Sequence, residues 1–234
     1  MSNTLAQNPT AQAYNNATTV AVVFASGGTN PSLYVASITI DTGITATATV
    51  ADDRNGSYTP DAIGIATTHG RSMVLSVQNT STLTATVTGT ISAANYGVLK
   101  AYELTGAATS AALDTQNGAG GANSARTIGI TPGTNNCTVI LAGTVFGIDG
   151  GVDTNYTEAY APNGLNNVYH IGEYRVDAGA AGAITLTYSE PDTSQHWSFA
   201  VAAYKTAGAG GGVDKGTILR RSYRPRPFGP GHPR

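Results

Sequence analysis

Three features of the sequence predict an all-β fold, an antiparallel two-sheet jelly-roll sandwich with an extended, non-globular C-terminal arm. Thr occurs 34 times and recurs with Val, Ile, Ala and Tyr in short alternating runs, the pattern of half-buried strands. The gaps between those runs hold turn residues and no amphipathic helix, which excludes parallel βαβ folding. The composition then changes abruptly near residue 207, where Ala207-Gly-Ala-Gly-Gly-Gly212 leads into a basic, Pro-rich end.

Taken in order, alternation is clearest in Leu33–Ile40 and Thr82–Ile91. Further strands are expected at Ala17–Phe24, Thr45–Val50, Ala62–Thr68, Ser72–Val77, Gly97–Leu104, Thr138–Phe146, Tyr156–Tyr160, Val168–Val176, Ala183–Tyr188 and Trp197–Tyr204. Gly27-Gly28, Asn55-Gly56, Thr131-Pro132-Gly133, Asp149-Gly150-Gly151 and Asn163-Gly164 supply turn chemistry between them. Gly106–Ala125 and Phe146–Asn155 read as long connections of small residues. Many short strands joined by turns suit a sandwich in which each sheet buries one face, with a barrel as the alternative. The expected organisation is an N-terminal extension over 1–16, the sandwich over 17–206, a Gly-rich linker over 207–214 and a docking arm over 215–234.

Charge separates body from arm. Charged residues are 11% of the chain, against about 25% in an average soluble domain. Residues 1–212 carry thirteen acids and six bases, a net −7, and residues 213–234 carry six bases and one acid, a net +5. The overall −2 is a cancellation. A lone cysteine, Cys137, can form neither an internal disulfide nor a Cys-based zinc cage. No basic region precedes the short apolar run Val20–Phe24, so secretion by a cleaved signal is not expected, and no run is long enough to span a bilayer.

Catalytic motifs are absent: there is no Gly-x-Ser-x-Gly, His-Glu-x-x-His or phosphate-cradling loop. A glycosidase needs two carboxylates flanking one bond, but Glu158, Glu173 and Glu190 occur singly, and Asp52 and Asp53 would point to opposite faces of a strand. His69, His170 and His196 would make a metal site if they met, although each adjoins a strand edge or turn where a hydrogen-bonded histidine is the ordinary outcome. Asp52-Asp-Arg-Asn-Gly56 and Asp149–Asn155 offer calcium-type oxygens, and they also satisfy what a tight turn requires. Turn chemistry is the favoured reading. Trp197 is the candidate glycan-stacking residue, in a strand whose alternation equally suits the core. No catalytic residue, metal or cofactor is expected.

The arm cannot build a core. Its prolines favour extended or polyproline II backbone. Arg220, Arg221, Tyr223, Arg224, Pro225, Arg226, Pro227 and Phe228 form the expected docking segment, with aromatic anchors and arginine forks aimed at a partner's carboxylates. A disordered solubilising tail is the next reading of the same charge, and nucleic-acid contact the least favoured.

Several stretches of the body resemble one family. They are Thr49-Val-Ala-Asp-Asp-Arg-Asn-Gly-Ser-Tyr-Thr59, Ala101-Tyr-Glu-Leu-Thr-Gly106, Leu113-Asp114, Thr138-Val-Ile-Leu-Ala-Gly143 and Ser198-Phe-Ala-Val-Ala-Ala-Tyr-Lys205, which together span roughly residues 17–207. They are similar to the lectin/glucanase-like, concanavalin-type jelly-roll modules of bacteriophage virion and bacterial surface proteins. The resemblance implies a structural or adhesive, non-catalytic role. A module without a secretion signal fits a phage gene, so the expectation is a virion structural protein. It would decorate capsid, neck or tail, be made in the host cytoplasm, form an oligomer, and be anchored to other virion proteins by its arm without contacting membrane. A carbohydrate- or receptor-binding adhesion module is the alternative.

Overall fold

The computed structural model describes residues 3–41, 46–66, 68–122, 126–146, 156–165, 168–176, 178–188 and 196–208. Among these residues there are fifteen strands and no helix. In chain order they are β1 (Thr4–Gln7), β2 (Gln12–Val23), β3 (Ser32–Ile40), β4 (Ala48–Asp52), β5 (Gly56–Ser57), β6 (Thr59–Ile65), β7 (Arg71–Asn79), β8 (Thr86–Thr105), β9 (Leu113–Ala122), β10 (Arg126–Ile130), β11 (Thr138–Phe146), β12 (Thr157–Leu165), β13 (Val168–Arg175), β14 (Ile184–Tyr188) and β15 (His196–Tyr204). Every pairing is antiparallel. The all-β, jelly-roll-like sandwich expected from the alternating runs is the fold the chain adopts.

One sheet of eight strands runs β5-β4-β8-β3-β7-β6, with β1 and β2 added on the other edge of β8. A second sheet runs β12-β13-β11-β15-β9, and β10 and β14 form a separate ribbon. Strand β8 explains the curl of the first sheet. Its first half pairs with β4, from Ala48↔Ile91 to Asp52↔Val87, and its second half pairs with β3, from Ile40↔Gly97 to Ser32↔Thr105. Between them the register with β2 shifts twice, around Asn15, Ala17 and Thr19, and Asn16 there adopts φ 53°. Such bulges bend a strand and raise its twist. The two halves therefore close over a core of their own, which includes Tyr14, Phe24, Tyr34, Ile38, Leu75 and Leu99. The sequence predicts two strands here, 82–91 and 97–104. Ser92–Tyr96 lacks a turn signal, and the chain continues through it as one bent strand.

Strand β3 is buried on both sides. Tyr34, Ala36, Ile38 and Ile40 fill the curled sheet's core, and Leu33 and Val35 face the second sheet. Across that interface small residues, Ala142, Ala200, Ala202 and Ala62, share one cluster with the larger Val74, Ile140, Tyr102 and Tyr204. At the β6 and β9 margin backbone meets backbone. A Cβ placed on Gly64 would collide with the carbonyl oxygen of Phe199, one on Gly118 with that of Ile63, and one on Gly120 with that of Ile65. These glycines are required by proximity, since only a hydrogen fits between the chains.

The structure corrects two expectations. Half of Gly106–Ala125 is strand β9, paired along β15 from Leu113↔Tyr204 to Ala122↔His196. Gly118 and Gly120 there serve the contact between sheets rather than turns. Residues 4–7 and 12–16, which the sequence leaves outside the sandwich, pair with β8 as β1 and the start of β2. On the outer face of the second sheet, Ile128, Ile130 and Leu186 of the ribbon cover Leu141, Phe199 and Val201. That face therefore has a core as well.

Candidate functional site

The three histidines singled out in the sequence come from both sheets, and two of them meet at one end of the interface. His69, exposed in the turn between β6 and β7, has its ring centroid 6.0 Å from that of His196 and 5.3 Å from that of Phe146. Phe146 and His196 pack edge-on at 6.3 Å. His170 is not part of this cluster. It lies fully buried in a polar layer behind it, where Ser72, Thr144 and Ser198 join through hydroxyl contacts of 2.8 and 2.7 Å.

The protonation of His170 follows from its neighbours. Thr39 Oγ1 lies 3.4 Å from the Val98 carbonyl, to which it donates. The same hydroxyl is 3.0 Å from His170 Nδ1, so it accepts a proton held on Nδ1. Nε2 is then a bare lone pair, with no hydrogen-bond partner. Burial pushes the imidazole down to about 3, because an imidazolium there would be a desolvated charge. His170 is a neutral core residue. Among the described residues no group of three or more His, Cys, Asp or Glu is placed to hold a metal ion.

The opposite kind of site, a clasp of carboxylates and amides, forms where the family-like stretches around Asp52 and Glu103 lie. Glu103, 1% exposed, accepts hydrogen bonds from the backbone amide of Thr29 at 2.5 Å, Ser32 Oγ at 3.0 Å and Gln7 Nε2 at 2.6 Å. Asn79 ties the same loop to the next, donating to Thr29 O and Ser81 O and accepting from Asn55 Nδ2. Asp52 Oδ1 accepts from the amides of Arg54 and Asn55 at 2.7 and 2.6 Å, and Asp53 accepts from the amide of Thr86. Of the two Asp-rich turns, the first uses Asp52 on its own backbone, an Asx-type turn closed by Gly56 at φ 84°, and Asp53 to tie the turn to the start of β8. The second, Asp149–Asn155, lies outside the described residues. Burial, with Glu103 and Asp52 adding to it, raises the Tyr34 phenol to about 12. An inward Glu within the apolar alternation of β8 is a readable signal for the clasp. Gln7 and Thr29 carry none.

The remaining candidates divide by burial. Trp197 is 5% exposed with its ring 5.1 Å from Phe199. As a stacking platform it is corrected: the indole is core packing beneath the ribbon. Glu173 is fully buried, and Glu190 lies outside the described residues. Asp114, in the Leu113-Asp114 stretch, accepts from the amides of Gly133 and Thr134 at 2.8 and 3.0 Å and so pins the turn ahead of β11. Cys137 sits against it, and burial pushes its thiol up to about 11. Lys100, 2% exposed, donates to the Pro9 carbonyl, and burial draws its amine down to about 8. The docking segment, Arg220, Arg221, Tyr223, Arg224, Pro225, Arg226, Pro227 and Phe228, lies outside the described residues.

No helix among the described residues is long and apolar enough to cross a membrane. Comparison with family models, curated proteins and solved structures finds no match to this chain.

Proposed function

We propose that this chain is a non-catalytic structural protein of a bacteriophage virion, a sandwich head that decorates capsid, neck or tail and is anchored by residues 215–234. The observation that carries the reading is the division of labour among charges. Asp52, Asp53, Glu103 and Asp114 are each engaged by backbone amides of the body, of Arg54, Thr86, Thr29 and Gly133, whereas the bases beyond Gly212 are concentrated in a short Pro-rich segment with one acid among them. Paired carboxylates bridging an accessible cleft, which glycan hydrolysis requires, do not fit the buried Glu103. An arm of +5 on a body of −7 suits assembly by polar pairing. The decisive test is truncation after Ala207 in the producing phage. The shortened protein should fold and be missing from purified particles; its retention there would reject the anchor.

The second reading, a glycan- or receptor-binding module, draws on the exposed His69 beside the half-buried Phe146 and His196. Glycan-array binding that is lost in His69→Ala and Phe146→Ala would favour it over the structural reading.

A further inference from the structure

The chain contains three Asn-Gly dipeptides, Asn55-Gly56, Asn117-Gly118 and Asn163-Gly164, and the fold treats the first two in opposite ways. Asn55 is immobilised. Its Nδ2 donates to Asp52 Oδ2 at 3.1 Å and to Asn79 Oδ1 at 3.2 Å, its Oδ1 accepts from the Thr80 amide at 3.1 Å, and its own amide donates to Asp52 Oδ1 at 2.6 Å. The side-chain carbonyl is thereby held by the Thr80 amide. Asn117, on strand β9, is exposed. Its Oδ1 accepts from the amide of Gly118 itself, at 2.8 Å, and its Nδ2 makes one contact, to the Gly129 carbonyl at 2.7 Å.

We propose that Asn117 is a site of spontaneous deamidation, proceeding through a succinimide with Gly118, and that Asn55 is protected from the same chemistry. The contact between Gly118 N and Oδ1 sets that nitrogen within about 3.5 Å of Cγ, a near-attack separation. Glycine adds no Cβ to obstruct the approach. The Gly118 nitrogen loses its proton to solvent base and bonds to Cγ; Nδ2 takes a proton back from the solvent acid, the Cγ–Nδ2 bond breaks with its electron pair going to nitrogen, and Nδ2 leaves as ammonia. Water then adds to either ring carbonyl. Opening at one side leaves an ordinary aspartyl residue where Asn117 stood, and opening at the other gives an isoaspartyl linkage in which Cβ enters the main chain.

Both products damage the place where they form. A carboxylate at position 117 cannot donate to the Gly129 carbonyl, so the tie between β9 and the ribbon strand β10 is lost. An extra main-chain carbon beside Gly118 has no room, because that glycine already lies against the Ile63 carbonyl. The lesion would therefore open the sheet margin from β9. This inference is independent of the proposed function.

The test is to age the full-length protein at mildly alkaline pH and quantify aspartyl and isoaspartyl products at both dipeptides by peptide mapping, with isoaspartyl methyltransferase labelling as a second readout. Asn117 should convert at least about fivefold faster than Asn55, the factor that one net hydrogen bond of restraint imposes. A smaller ratio overturns the proposal. Aging in urea supplies the control: unfolded, the two dipeptides should convert at nearly equal rates. If the ratio persists in urea, the fold is not its cause and the proposal fails.

Discussion

The curled sheet and the interface between the sheets are two interiors built on opposite principles. The first is filled by large side chains, with Tyr14, Phe24, Ile38 and Leu99 fully buried. The second mixes alanines with large side chains that include Tyr102, Ile140 and Tyr204, is crossed by the polar layer of Ser72, Thr144, His170 and Ser198, and is closed at one margin by glycine against carbonyl. Stability in the first depends on volume present, and at the glycine margin of the second on volume absent. One residue type can therefore mean different things in one chain: glycine supplies a positive φ at Gly56 and bare proximity at Gly118.

The largest expected effect is loss of volume in the curled sheet. Leu99→Ala should cost about 2–5 kcal/mol in chemical denaturation, the range for a buried leucine whose site cannot collapse. A cost below about 1 kcal/mol would mean that this core is loosely packed. Next is the polar layer under acid. The folded pKa of His170 lies near 3 and the unfolded value near 6.5, so between these the unfolded chain binds a proton that the folded chain refuses. Stability then rises with pH across that window and is lost as pH falls from about 6.5, by up to about 1.4 kcal/mol per pH unit from this group alone. Going from about pH 6.5 to about pH 4 should remove on the order of 3 kcal/mol more from the wild type than from His170→Gln. Parallel pH profiles would show that His170 is not buried as described.

Smaller again is gain of volume at the margin. Gly118→Ala and Gly64→Ala should each cost about 1–3 kcal/mol by overpacking. Gly129→Ala supplies the control, since a Cβ there meets nothing nearer than the Ile184 carbonyl at 3.7 Å, and it should be neutral or slightly stabilising. Equal costs at 118 and 129 would mean that the carbonyl approach is not what makes the margin intolerant of a Cβ. The smallest effect concerns reactivity alone. Native Cys137, fully buried with its thiol held protonated near neutral pH, should resist thiol reagents until the protein is unfolded. Rapid native labelling would place it at the surface.

Most of the fold is legible in the sequence because alternation reports burial on one face, and β3, β7, β11 and β15 lie close to their expected spans. What cannot be read has a common physical cause. β9 carries Gly118, Gly120 and Gly121, and glycine signals a turn when only local sequence is considered. The reason for two of those glycines, Gly118 and Gly120, is the Ile63 and Ile65 carbonyls, which lie far earlier in the chain. The bend in β8 is likewise a property of its pairing with two partners at once. Of the site candidates, His69 and His196 do meet, His170 sits a layer deeper, and Trp197 faces the core. Long-range placement decides each of these, and spacing along the chain does not encode it.

Whether the basic arm, and not the sandwich, holds the protein in place is tested most directly by cross-linking mass spectrometry on assembled particles. Cross-links are expected from Lys215 and its flanking segment to a second virion protein, lost at high salt as screening weakens arginine–carboxylate pairing. Cross-links to other virion proteins that come only from the sandwich, with none from residues 213–234, would contradict the anchor.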